Sequence, residues 1–103
     1  MKKIAVLLLA ACAVSAYADV EADAILSKAG CMACHAKDKK LVGPSFKDIA
    51  AKYKGQGDAP AKLAEKVRKG GAGSFGPIPM SPNGPDKISD ADLKVALVAI
   101  LKN

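Results

Sequence analysis

The sequence predicts an all-α domain of about four short helices that must enclose something other than its own side chains. Three observations lead there. No segment alternates apolar and polar residues as a half-buried strand does. Four segments begin and end on helix signals. Past the first eighteen residues the aromatics are Phe46, Tyr53 and Phe75 alone, too few to fill a core.

The chain opens MKKIAVLLLAACAVSAYADV, with two lysines, an apolar run from Ile4 to Val14, and Ala16 and Ala18 flanking Tyr17. That order of charged, apolar and small residues is the signature of a secretory signal, and the run is too short to span a bilayer. Residues 1–18 are therefore expected to be cleaved after Ala18, leaving 19–103 as one domain in the periplasm. Leu9-Ala10-Ala11-Cys12 also resembles a lipobox, but the apolar run before Cys12 is short and the later Ala-x-Ala site fits an ordinary signal better.

Loss of Lys2 and Lys3 leaves 14 of the 16 basic residues against 10 acidic, a net charge of +4. This mildly basic balance suits a soluble exported monomer without stable membrane insertion. It falls short of the density of a nucleic-acid-binding surface. A domain of this length lies near the lower limit at which side chains alone hold a fold.

Asp19 is placed to cap a first helix through Ile25 and Leu26 that stops at Gly30. Pro44 opens a second, SFKDIAAKY, ended by Gly55. Asp58 precedes a third, APAKLAEKVRKGG, with Pro60 in its first turn, Leu63 and Val67 on one face, and Gly70 and Gly71 as its stop. Ser89 and Asp92 form a capping box before LKVALVAILKN, where Leu93, Ala96, Leu97, Ile100 and Leu101 recur with helical period. Between the last two helices, residues 70–88 are rich in glycine and proline and show no periodicity. A loop this long in a small domain is expected to be functional and held by what it binds.

The chemistry is concentrated in GCMACH. In C-x-x-C-H, Cys31 and Cys34 are spaced for their thiols to add to the two vinyl groups of one haem, while His35 reaches its iron. A thioredoxin-like pair would need a βαβ pattern that is missing. A structural zinc site needs four ligands, and past the leader the chain has two cysteines and one histidine. A plain disulfide would leave His35 without a role.

A metal-bound imidazole needs its second N–H satisfied, and the Pro44 carbonyl is the candidate acceptor. With no second histidine, the other axial ligand must be a methionine. Met32 lies inside the attachment loop on the His35 side, which leaves Met80, in a loop stiffened by Pro77, Pro79 and Pro82. Core filling is the ordinary use of a lone methionine. Weak Met80 binding would open the iron for a gas-binding or peroxidase-like role.

GCMACH, LVGPSFKDIAAKYKG, GPIPMSPN and ISDADLKVALVAIL, in that order, resemble the small bacterial class I cytochromes c, most closely the short c-551/c-552 type. The resemblance implies helices wrapped round one covalently attached haem c, Pro44 accepting a hydrogen bond from His35, and Asn83 close to Met80 and orienting it. It implies an electron carrier and not an enzyme. The donor would be a quinol-oxidising complex, and the acceptor a nitrite reductase, terminal oxidase or cytochrome c peroxidase.

Two departures stand out. Relatives commonly carry a tryptophan that bonds a haem propionate where this chain has Phe75, so that role would pass elsewhere, with Lys66 and Arg68 as candidates. An aromatic pair between the first and last helices looks replaced by Leu26 and Ala99, which predicts a looser contact. Lys28, Lys37, Lys39, Lys40, Lys66, Arg68 and Lys69 are expected to steer the haem edge toward acidic partners.

Overall fold

The computed structural model describes residues 17–103. The proposed leader, apart from Tyr17 and Ala18, lies outside these residues, as does Cys12. Four α-helices and one 3-10 turn account for the regular structure described, and the sole β feature among these residues is a bridge between Gly71 and Met80.

Helix α1 covers residues 17–28. It buries Ala22 and Leu26, four apart on one face. The helix is already formed at Tyr17, so Asp19 lies within it and does not cap it. With Tyr17 and Ala18 attached, their carbonyls can continue the helical ladder that a cap would otherwise replace. Gly30, at φ +83°, turns the chain out of the helix.

Helix α2 is Phe46–Tyr53. Ser45, not Pro44, is its N-cap, and its hydroxyl accepts from the Asp48 N–H at 3.0 Å. Proline one residue earlier fixes the entry of the chain instead of taking the first helical position. Phe46, Ile49 and Ala50 form its buried face.

Helix α3 is Ala59–Lys69, with Pro60 in its first turn, where a missing N–H costs nothing. Asp58 precedes it without a side-chain cap bond; its carboxylate pairs with Lys62 instead. Helix α4 is Asp90–Leu101, capped by Ser89, whose hydroxyl accepts from the Asp92 N–H at 3.2 Å. Ile88 just before the cap and Leu93 in the first turn are both buried in one cluster, an arrangement that fixes the angle at which the chain enters α4.

Helix α4 packs across α2 and α3. Leu93, Ala96, Leu97 and Ile100 supply its buried face and join Leu26, Phe46, Ile49, Leu63 and Ile88 in one core. Beside Leu26, a pocket of about 170 Å³ is lined by Phe46, Ala99 and Ile100, with Asp23 and Lys37 also in its lining. Leu26 and Ala99 thus border the same open pocket. No helix among the described residues is long and apolar enough to cross a membrane.

Candidate functional site

The attachment motif is shaped by its backbone. Left-handed Gly30 leads into a 3-10 turn, Cys31–Ala33, and the Cys31 carbonyl accepts from both Cys34 N–H and His35 N–H, at 3.2 and 3.0 Å. In 3-10 geometry, side chains three apart eclipse, so the two thiols project from one side of the turn. No disulfide joins them, Cys34 being exposed and Cys31 half-buried. Burial pushes the Cys31 thiol above its ordinary pKa, partly offset by a hydrogen bond from its own backbone N–H. No three His, Cys, Asp or Glu side chains among the described residues converge as a metal-ion site, which leaves a structural zinc without its ligands.

His35 is held on several sides. Its Nδ1–H donates to the Pro44 carbonyl at 2.7 Å, which fixes the tautomer and leaves Nε2 as the ring's free lone pair. Phe46 stacks on the ring, with centroids 5.6 Å apart and planes inclined by 21°. Gly43 lies so close that a Cβ there would fall 2.6 Å from Cε1 of the imidazole. The loop bearing Gly43 and Pro44 is itself fastened to the motif, since Gly43 N–H donates to the Cys34 carbonyl at 2.8 Å and Phe46 N–H to Ala36 at 2.9 Å. Turn, loop and the start of α2 therefore orient one imidazole together.

Met80 is half-buried in the loop that follows α3. It exchanges two backbone hydrogen bonds with Gly71, at 2.9 and 3.0 Å. Gly70 passes close behind; a Cβ on it would lie 2.8 Å from Pro82 N, and at φ +68° a side chain would also be strained. Asn83 N–H donates to Val67 O at 2.9 Å, and its side-chain amide donates to Ser81 O at 2.9 Å, next to Met80 in sequence.

Sequence reasoning missed the roles of Gly43, Phe46 and Gly70, which show only in three dimensions. It also missed Lys52, whose ammonium donates to the Ser74 carbonyl and lies 4.5 Å from the centroid of the Phe75 ring. Arg68 bonds the Asn83 and Ile88 carbonyls and Asp90. Of the lysines proposed for steering, Lys37 pairs with Asp23 and Lys69 with Glu65. Lys28, Lys39, Lys40 and Lys66 have no carboxylate partner among the described residues.

Helices without a sheet among the described residues, a turn that presents two thiols beside an oriented imidazole, and a methionine fastened on a proline-stiffened loop together define a small haem protein of the c type. The cytochrome c family model matches residues 20–103, and the chain belongs to that family. Cytochrome c2 of Rubrivivax gelatinosus is 55% identical over 78 residues, covering 76% of this chain and 92% of that one. Cytochrome c-551 of Pseudomonas aeruginosa is 51% identical over 61 residues, 59% of each chain. The crystal structure of Nitrosomonas europaea cytochrome c552 superposes with a TM-score of 0.73 at 45% identity, covering 78% of this chain and 96% of that one.

Membership carries the cofactor with it: the protein binds haem c covalently, one haem for a chain of this size. The local geometry fits the group. Two thiols share one side of a turn, an imidazole has one nitrogen satisfied and the other free, and exposed apolar side chains lie on the same segments, Met32 in the attachment turn, Val42 beside Gly43, and Phe75 and Ile78 in the Met80 loop.

Proposed function

We propose that the protein is a periplasmic one-electron carrier in which Cys31 and Cys34 hold the haem as thioethers and His35 and Met80 are its axial ligands. The observation that carries the reading is the 2.7 Å bond from His35 Nδ1–H to Pro44 O, an orientation device typical of a metal-bound histidine. Haem c supplies the Fe(III)/Fe(II) couple. With both axial positions taken by side chains, the chain presents no open position to oxygen, peroxide or substrate, which argues against an enzymatic role.

The thioether of Met80 favours Fe(II) relative to a second imidazole, so a positive potential is expected. Gly43, Pro44 and Phe46 on one ligand, and Gly70, Gly71 and Val67 on the loop of the other, resist movement as charge changes. Asn83, bonded to the Ser81 carbonyl, helps fix the local path of the chain at Met80. Residues 1–18 act as the cleaved export signal. Partners are redox proteins with acidic surfaces, a quinol-oxidising complex as donor and a nitrite reductase, terminal oxidase or cytochrome c peroxidase as acceptor.

The test is an optical spectrum of the exported protein in both oxidation states, with Met80→Ala beside it. Reduced c-type bands and a weak far-red ferric band that Met80→Ala abolishes are the expected result. A c-type spectrum without the far-red band would transfer the protein to the gas-binding or peroxidase class.

A further inference from the structure

The loop that carries Met80 returns to α3 and is fastened there by more than its own backbone. Asn83, three residues past Met80, is gripped on both sides of its Cα: its N–H donates to Val67 O at 2.9 Å, and its carbonyl accepts from Arg68 Nη1 at 3.2 Å. The same nitrogen reaches Ile88 O at 2.8 Å, while Nη2 pairs with the Asp90 carboxylate at 2.5 Å. One guanidinium thereby joins the end of α3, the returning loop and the first turn of α4. Its side chain is only 21% exposed, so water competes weakly for the two part-buried carbonyl bonds, whereas the Asp90 carboxylate, 93% exposed, is open to solvent.

We propose that Arg68 is a positioning residue for Met80, a clasp whose strength sets how readily Met80 gives up its place as ligand. The inference rests on the reading of Met80 as an axial ligand. Residues 80–82 run against Gly70 with no space between, and both the N–H and the carbonyl of Met80 are paired with Gly71. Pro79 and Pro82 have little backbone freedom to absorb a local shift. A departure of Met80 that carries residues 81–83 with it must break the Asn83 bonds. Hydrogen bonds from a guanidinium are about twice as strong as neutral ones, so Arg68 contributes much of the resistance.

An external ligand reads this directly. Imidazole binds the ferric protein only in molecules whose methionine has left, so its apparent affinity rises with the population of that open state. The experiment titrates ferric holoprotein with imidazole, following loss of the far-red band, and records thermal midpoints alongside. Arg68→Met keeps the length and apolar stem while removing the clasp, and should tighten imidazole binding about tenfold, what one charge-assisted hydrogen bond is worth at the low end of its range. Asp90→Asn weakens the tie to α4 but leaves both carbonyl bonds, and should stay within about twofold of the parent.

If Arg68→Met does not fold, Arg68→Lys takes its place. One ammonium cannot reproduce the fork that spans two carbonyls and a carboxylate, and an intermediate tightening is expected. An unchanged imidazole affinity beside a lowered thermal midpoint would show Arg68 to be structural only and overturn the clasp. Equal effects from Arg68→Met and Asp90→Asn would overturn it in favour of the α3–α4 tie. A parent protein without the far-red band would remove Met80 as ligand and the clasp with it, an outcome distinct from the other two.

Discussion

Replacing Gly43 with alanine would set a methyl carbon 2.6 Å from Cε1, 3.0 Å from Nδ1 and 3.1 Å from Nε2 of His35. Comfortable carbon contacts lie at about 3.5–4.0 Å, so the ring or the loop must retreat by roughly 1 Å. Neither can do so freely, because Pro44 holds Nδ1 and Phe46 stacks on the ring. Overpacking of this kind costs about 1–3 kcal/mol, and in a domain this small each kcal/mol moves Tm by about 4–8 °C. The Tm of the haem-loaded variant should therefore fall by roughly 5–20 °C.

The same retreat should lengthen the bond from Nδ1–H to Pro44. With His35 as the proposed ligand, a weaker bond makes the imidazole a poorer donor to Fe(III), so the reduction potential should rise. Thermal melting followed by circular dichroism and a potentiometric titration measure the two effects. Gly57→Ala is the matched control: its added Cβ meets nothing within 4 Å, and its φ lies outside the left-handed region. It should stabilise by about 0.4–1 kcal/mol through the unfolded chain. If Gly43→Ala melts with Gly57→Ala and at an unchanged potential, the close approach of Gly43 to His35 has no energetic meaning.

The pocket of about 170 Å³ beside Leu26 should be fillable: Leu26→Phe with Ala99→Trp is expected to raise Tm, and no gain from the pair would sink the view of a loosened helix contact. Reversing Lys39 and Lys40 to glutamate should slow electron exchange with an acidic redox protein at low ionic strength, with the difference shrinking as salt is added. Rates that ignore both mutation and salt would rule out electrostatic steering. The Cys31→Ala, Cys34→Ala chain, unable to attach haem, should be mostly unfolded, and helical circular dichroism equal to that of the holoprotein would contradict this.

The features legible from the sequence were those whose cause is local. Periodicity in Leu93, Ala96, Leu97 and Ile100 is a property of one helix, and the five residues from Cys31 to His35 carry the family with them. Caps were less secure: Ser45 and Asp58 sit at helix starts, but only the Ser45 side chain makes the cap bond, because Asp58 has Lys62 one turn along to pair with instead. The supports of the site were hidden because they are contacts between distant segments. Nothing near Arg68 announces a bond to Ile88, twenty residues on, nor does Lys52 announce Ser74. Of the cations expected to steer, Lys37 and Arg68 are paired with carboxylates that only the folded chain brings near, while Lys69 pairs with Glu65 one turn back on its own helix.

The pairing of Gly71 with Met80 has a consequence for how this protein can vary. Two hydrogen bonds seal the neck of the loop, and inside it Gly73 N–H donates to Gly76 O at 2.9 Å in a turn of its own. Residues 72–79 are thus an excursion anchored at its base, separated from α4 by the fastening at Gly71, Val67 and Arg68. Substitutions or small insertions there can alter what Phe75 and Ile78 present to the surroundings while the methionine keeps its address. The loop divides into a fixed hinge plate and an exposed panel whose one described tie to a helix is Lys52, bonded to the Ser74 carbonyl.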